Sequence, residues 1–251
     1  MSDSSCDEWC PVPGSDEIDA SIARFSNALE VYRRNARTVA VWADVSWMRE
    51  CIGGGADGDN LEFARLRAAV SALDDVQIAA VSRALLRSLD VGLPKLSALV
   101  GPSWSSLDAV PVEAGAQVLR MRALLFRRME LRRLIDRKSR MALEKWIGMQ
   151  IDSIVGECSG GPDVDLLALT IRIPPLRALD AHALACEGLA LLLRDLDVDR
   201  PPFTLLQLLF PRDLRLPEWP RQVDRALDER GSERLMAGLP EWFPEWGWVF
   251  G

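Results

Sequence analysis

The apolar positions of this chain recur mostly every third or fourth residue, which lines them up on one face of a helix rather than on alternate faces of a strand. Ile18, Ile22, Phe25, Leu29 and Tyr32 form the first such stripe, with Asp16 placed to cap its start. Ile78, Val81, Leu85 and Leu89 form another. Residues 38–48 read either way. Val39, Val41, Val45 and Trp47 alternate, whereas Trp42, Val45 and Met48 keep helical spacing, and helix is preferred because no partner strand lies nearby. The stretch from Val112 to Ile154 predicts a long helix and a second one, bent near 136–139, with Leu143, Ile147, Ile151 and Ile154 on one face. Asp180 precedes a helix from Ala181 to Arg194 that is apolar almost all round, the pattern of a central buried helix. Pro201 and Pro217 stand where first helical turns would begin. Leu205, Leu208 and Leu209 give the first of these helices an apolar side, and Trp219, Val223 and Leu227 the second. Leu169–Ile173 is the one segment with an extended look, and a single short segment makes no sheet. The expectation is an all-α, compact multi-helix domain.

Breakers divide it. Residues 1–15 are acidic, Ser-rich and interrupted by Pro11, Pro13 and Gly14, so a flexible acidic tail is expected there, with Trp9 as the one residue suited to docking. The helical domain then spans 16–251, with loops at Gly53–Asn60 and Cys158–Pro162. Gly92, Pro94, Gly101 and Pro102 mark a candidate boundary near 92–110 between two lobes. No repeat of convincing period is present.

Composition narrows the class. With 251 residues, 49% of them apolar and 27% charged, the chain can bury a sizeable core. Its 5 cysteines are odd in number and scattered, which fits a reducing compartment better than a disulfide framework. The first twenty residues carry Asp3, Asp7, Glu8, Asp16, Glu17 and Asp19 and no base, the opposite of a secretory signal. The longest apolar run, Ala183–Leu193, contains Glu187 and is too short to span a bilayer. These features predict a cytoplasmic chain that meets a membrane only through a partner.

Candidate chemistry is thin. The loop Gly53–Asp59 lacks the Gly-Lys-Ser/Thr ending of a phosphate loop. As a calcium loop starting at Asp57 it would place Glu62 where glycine is needed and Ala68 where glutamate is needed. His182 and Cys186 share a helical face beside Glu187, but no further metal ligands and no orienting group accompany them. Cys6 and Cys10 have no second pair. No cofactor, no metal and no catalytic residue is therefore expected.

Two segments do stand out. Val118–Lys145 holds ten bases against three acids, a net +7 in a chain whose formal charge is −7. Its arginines suit three uses: pairing with acids elsewhere in the chain, docking an acidic protein partner, or binding a phosphate backbone. The overall acidity and the lack of a nucleic-acid motif weigh against the last. At the other segment, Trp242, Phe243, Trp246, Trp248 and Phe250 crowd together, either packed back on the domain or presented as an aromatic hot spot. Arg122, Arg127, Arg128, Arg132, Arg133, Trp242 and Trp246 are the candidate partner-binding residues.

The run Arg122-Ala-Leu-Leu-Phe-Arg-Arg-Met-Glu-Leu-Arg-Arg-Leu-Ile-Asp136 resembles the signature stretch of the SctK/YscK family in its Hrp-type form. Leu179–Asp195 is similar to a second stretch of that family, and the resemblance covers roughly 110–251. It implies a non-catalytic accessory subunit in the cytoplasmic sorting platform of a type III secretion injectisome, peripheral to the inner membrane. There it would bridge the inner-membrane ring protein SctD to the pod protein SctQ, which connects through SctL to the ATPase. A nucleic-acid-binding or regulatory module using 118–145 is the alternative from a different class, and an enzyme with an unrecognised carboxylate site or one at Cys186 and His182 is a second.

Overall fold

A computed structural model describes residues 15–51, 60–157, 162–166 and 168–250. Residues 1–14 of the expected acidic tail, the Gly53–Asp59 loop and the first four residues of the Cys158–Pro162 loop lie outside the described residues, with Cys6, Cys10 and Cys158 among them, whereas Ser15, the last residue of that expected tail, opens a helix. Helices make up most of the described residues, and no strand occurs among them.

The N-terminal part holds α1 (Ser15–Arg37), α2 (Val39–Trp42), α3 (Val45–Cys51), α4 (Asn60–Ser71) and α5 (Asp75–Ser88). The ambiguous stretch 38–48 is helical, but broken at Ala43 and Asp44 into α2 and α3. Helix α5 begins with a capping box. Asp74 accepts from the backbone N–H of Gln77, whose side chain accepts from Asp74 N–H, so two otherwise orphaned donors are satisfied. The apolar stripe of α1 is only half used: Ala28, Val31 and Tyr32 are buried, whereas Ile18 and Ile22 are 44% and 60% exposed.

The centre is built from α6 (Val112–Phe126) and α10 (Ala181–Leu196), the most extensively packed pair of elements among the described residues. Gly188 makes their close approach possible: a Cβ there would stand 1.7 Å from the Leu119 carbonyl oxygen. Helix α10 starts as its sequence predicts, with Asp180 accepting from Ala183 N–H at 2.7 Å. Eleven consecutive residues of it, Leu184–Arg194, are buried. The two helices serve two clusters. The larger core runs from Ala28 in α1 to Phe250 and takes in Leu119, Leu124, Leu184 and Leu189. A smaller one gathers Phe126 of α6 and Leu191 of α10 with Val164, Trp219 and Val223. The extended-looking Leu169, Ile171 and Ile173 pack against this second cluster without pairing as a strand.

The segment read as a long helix and a second one is four helices: α6, α7 (Arg128–Arg132), α8 (Arg137–Ile147) and α9 (Ile151–Glu157). The bend near 136–139 is real, with Asp136 accepting from Lys138 and Ser139 N–H. Two further breaks occur, and the first falls at Arg127, which leaves helical geometry at φ −90°, ψ 19° while its side chain turns inward. Gly148, at φ 74°, ends α8 in the left-handed conformation. The expected helix starts at Pro201 and Pro217 do not occur. A 3-10 turn at Leu206–Leu209 follows the first, and α11 (Trp219–Gln222) begins beyond the second. Residues 92–110 carry two 3-10 turns, and their Leu99, Trp104 and Leu107 belong to the larger core. The chain closes with α12 (Gly231–Trp242) and α13 (Gly247–Phe250).

Candidate functional site

The arginines of 120–132 are placed by α6, by the break at Arg127 and by α7, and most of them turn inward. Arg122 is 0% exposed. Its guanidinium donates to Asp195 at 2.7 Å, to Asp228 at 2.5 Å and to the Ser232 hydroxyl at 2.7 Å. Arg194 completes the cluster, donating to the other oxygens of Asp195 and Asp228 at 2.7 and 2.8 Å. Two bases and two acids thus alternate around one buried site and join α6 and α10 to the Arg225–Asp228 turn and the start of α12. Burial opposes the charge on Asp195, but the Arg122 and Arg194 guanidiniums and the Ser232 hydroxyl outweigh it and hold its carboxyl below the usual range.

Arg127 is also fully buried. It grips Glu187 of α10 through two hydrogen bonds of 2.5 and 2.8 Å, and reaches Glu130 and the Pro174 carbonyl. Burial pushes the Glu187 carboxyl upward, against the opposing pull of Arg127. Arg128 is buried and donates to Asp163 at 2.7 Å, and Arg132, partly exposed, pairs with the same carboxylate. The ion pairs of Arg122, Arg127 and Arg128 are therefore intramolecular, and these three present no charged group to the surface. Of the candidate arginines, Arg132 and Arg133 face outward.

Beside them lies an exposed apolar residue that the sequence did not single out within the basic segment. The connection from α7 to α8 lifts Ile135 to 92% exposure, and Arg133, Arg137 and Lys138 around it are exposed. Arg137 and Lys138 occupy the first turn of α8, where the helix dipole disfavours cations. The signal available in the sequence was an isoleucine in a run of bases just ahead of an Asp cap.

The aromatic segment folds back on the body. Phe243 and Phe250 are buried in the larger core, with Trp242, Trp246 and Trp248 half-buried against it. Gly101 N–H donates to the Val249 carbonyl at 2.7 Å and ties the segment down. Trp242 and Trp246 each keep an exposed edge.

The sequence also passed over Asp108, a buried carboxylate. It accepts from the backbone N–H groups of Thr204, Leu205 and Leu206 and from the Thr204 hydroxyl, at 2.7 to 3.1 Å. Burial nevertheless pushes its carboxyl upward. His182 is exposed and its ring tilts against Phe210 at 5.7 Å. Burial, with Asp180 adding to it, pushes the Cys186 thiol up to about 12, so at neutral pH it is a protonated thiol and no nucleophile. Glu187, the third member of that sequence cluster, belongs to Arg127. Among the described residues no group of three or more His, Cys, Asp or Glu side chains is arranged to hold a metal ion. No helix among them is long and apolar enough to cross a membrane.

Fold and side chains together define an all-α protein whose basic helices are braced internally by carboxylates, leaving a smaller basic and apolar surface outside. The chain belongs to the family of bacterial type III secretion proteins described as HrpB4, whose model matches residues 19–245. Both stretches that resemble the Hrp-type SctK/YscK family, Arg122–Asp136 and Leu179–Asp195, fall inside that span. No curated protein matches the chain, and no solved structure does.

Proposed function

We propose that this type III secretion protein is a non-catalytic adaptor of the injectisome's sorting platform, bridging the inner-membrane ring protein SctD to the pod protein SctQ from the cytoplasmic side. The observation that carries the reading is the exposed surface at the α7–α8 connection. Ile135 stands almost free in water among Arg132, Arg133, Arg137 and Lys138, on a body whose other arginines in this stretch are spent on bracing. An exposed apolar side chain ringed by cations suits an acidic protein partner. The exposed edges of Trp242 and Trp246 supply a second, aromatic surface. A bridging subunit needs two such faces on a rigid frame, and the α6–α10 crossing supplies the frame. This assigns the docking role to Arg132, Arg133, Trp242 and Trp246 and a bracing role to Arg122, Arg127 and Arg128.

The test is to purify the protein from its native cells under gentle conditions and identify by mass spectrometry what accompanies it. SctD- and SctQ-like subunits in the eluate are the expected result. Nucleic acid in their place, released steeply as salt rises, would overturn the adaptor reading in favour of phosphate-backbone binding.

A further inference from the structure

A third surface lies toward the start of the sequence. Helices α1 and α5 enclose a groove of about 1020 Å³. Its floor is Leu29, Ile78 and Ala79, and Val76 on its rim is 77% exposed. Arg33, Arg34, Arg37 and Arg83 line it against only Glu30 and Asp75. Glu30 already pairs with Arg34 at 3.1 Å, across side chains that are both mostly in water. Arg83 donates to the Ala79 carbonyl of its own helix, and no hydrogen bond or ion pair among the described residues engages Arg33 or Arg37. The exposed Ile18 and Ile22 continue the apolar stripe of α1 from the start of the helix toward Leu29 at the groove. The helix thus presents an apolar track that leads into a basic cleft.

We infer that this groove is the docking site of the chain's own residues 1–14, which run back along α1 and seat their acids among the four arginines. The complementarity is one of charge and of reach. That segment carries Asp3, Asp7 and Glu8 without a single base, and Trp9 supplies a large apolar side chain. It is tethered at Ser15, where the track begins. From Ser15 to Leu29 the helix rises about 21 Å, and from Ser15 to Arg37 about 33 Å, at 1.5 Å per residue. An extended chain spans at most about 3.3–3.6 Å per residue, so Glu8 reaches the near end of the groove and Asp3 its far end. Trp9 falls over the track between Ile22 and Leu29. Tethering makes the encounter intramolecular, so a few exposed ion pairs and one buried indole suffice where they would not hold two separate molecules.

The experiment uses the full-length protein with the photo-crosslinker p-benzoylphenylalanine in place of Trp9. Irradiation is expected to give cross-links within one molecule to peptides covering 18–38 and 75–83. A mixture of isotopically light and heavy protein separates these from cross-links between two copies. The variant carrying Arg33→Glu, Arg37→Glu and Arg83→Glu, all on exposed helix faces, should lose those products while keeping its helical circular dichroism. Neutralising the other side, with Asp3→Asn, Asp7→Asn and Glu8→Gln, should cut their yield about threefold or more, the effect of losing three exposed pairs at the low end of their usual strength. Salt at about 1 M should do the same. Cross-links to other surfaces, cross-links between copies, or a yield indifferent to both sets of charges would overturn the assignment.

Discussion

Arg122 shows what a buried charge does in this protein. Taking two guanidiniums and two carboxylates out of water is costly, and their mutual attraction offsets that cost only while every member is in place. Removing one leaves the rest uncompensated. Arg122→Ala should therefore lower stability by about 3–5 kcal/mol, since Asp195 and Asp228 would keep their charges without their main partner, and a urea unfolding midpoint that barely moves would show the cluster to be slack. Asp195 adds a dependence on pH. Its folded-state pKa lies below its unfolded value, so the stability it contributes is present above about pH 3.9 and is lost as pH falls through the lower folded value. Asp195→Asn should accordingly be much less stable than the parent at pH 7, and the gap should close progressively below about pH 4. Glu187 and Asp108, both raised by burial, act in the opposite sense and gain as pH falls through their folded values. Urea midpoints measured across pH for the Asp195→Asn pair isolate one group from the others. Asp108→Asn replaces an oxygen that faces backbone donors with an amino group, and should cost about 1–3 kcal/mol by leaving the 204–206 turn short of an acceptor.

At the level of elements, the centre depends on one missing side chain. A methyl group at position 188 would overlap the Leu119 carbonyl, and since both partners are helix backbone, neither has a flexible end to move aside. Gly188→Ala should cost at least the upper end of the about 1–3 kcal/mol that overpacking commonly takes, even though alanine is the better helix former. A melting temperature equal to or above that of the parent would mean that α6 and α10 do not cross here. The same elements show what was readable in advance. Helix α10 was, start and burial together, because a cap followed by a nearly unbroken apolar run admits one reading. The bend at Asp136 was legible too, as a capping carboxylate ahead of the helical spacing of Leu143 and Ile147. The break at Arg127 was not, because local spacing continues straight through it. At the break Arg127 turns inward to an ion pair with Glu187, sixty positions away. Proline misled at 201 and 217, where φ preorganised for a helix led into a 3-10 turn or into irregular chain. Of the candidate site, the arginine cluster was visible as an excess of charge, but which of its members face inward is decided by acids at 163, 187, 195 and 228, whose proximity no local pattern encodes.

Across the whole molecule, the charge imbalance resolves into two populations of bases with different work. The inner one, Arg120, Arg122, Arg127 and Arg128, draws on acidic and carbonyl groups from the rest of the chain, and its loss is felt as lost stability. The outer one, Arg133, Arg137 and Lys138 around Ile135, enters no ion pair among the described residues, although Lys138 lies near the capping Asp136 carboxylate. At the first turn of α8 Arg137 and Lys138 run against the helix dipole, a cost that the nearby Asp136 carboxylate offsets in part for Lys138. On the proposed adaptor reading these exposed bases serve a partner rather than the fold. Reversing all three to glutamate should leave circular dichroism unchanged and stability within about 0.5 kcal/mol of the parent, as for surface substitutions generally, while recruitment of the protein to assembled injectisomes is lost. Fluorescence imaging of a labelled copy in its native cells, with secretion assayed in parallel, reads the second half of that prediction. The Arg122→Ala variant is the necessary contrast, because it should fail in both assays through unfolding. Normal foci and normal secretion from the triple reversal would remove this surface from the interface and leave the aromatic edges at Trp242 and Trp246 as the place to look next.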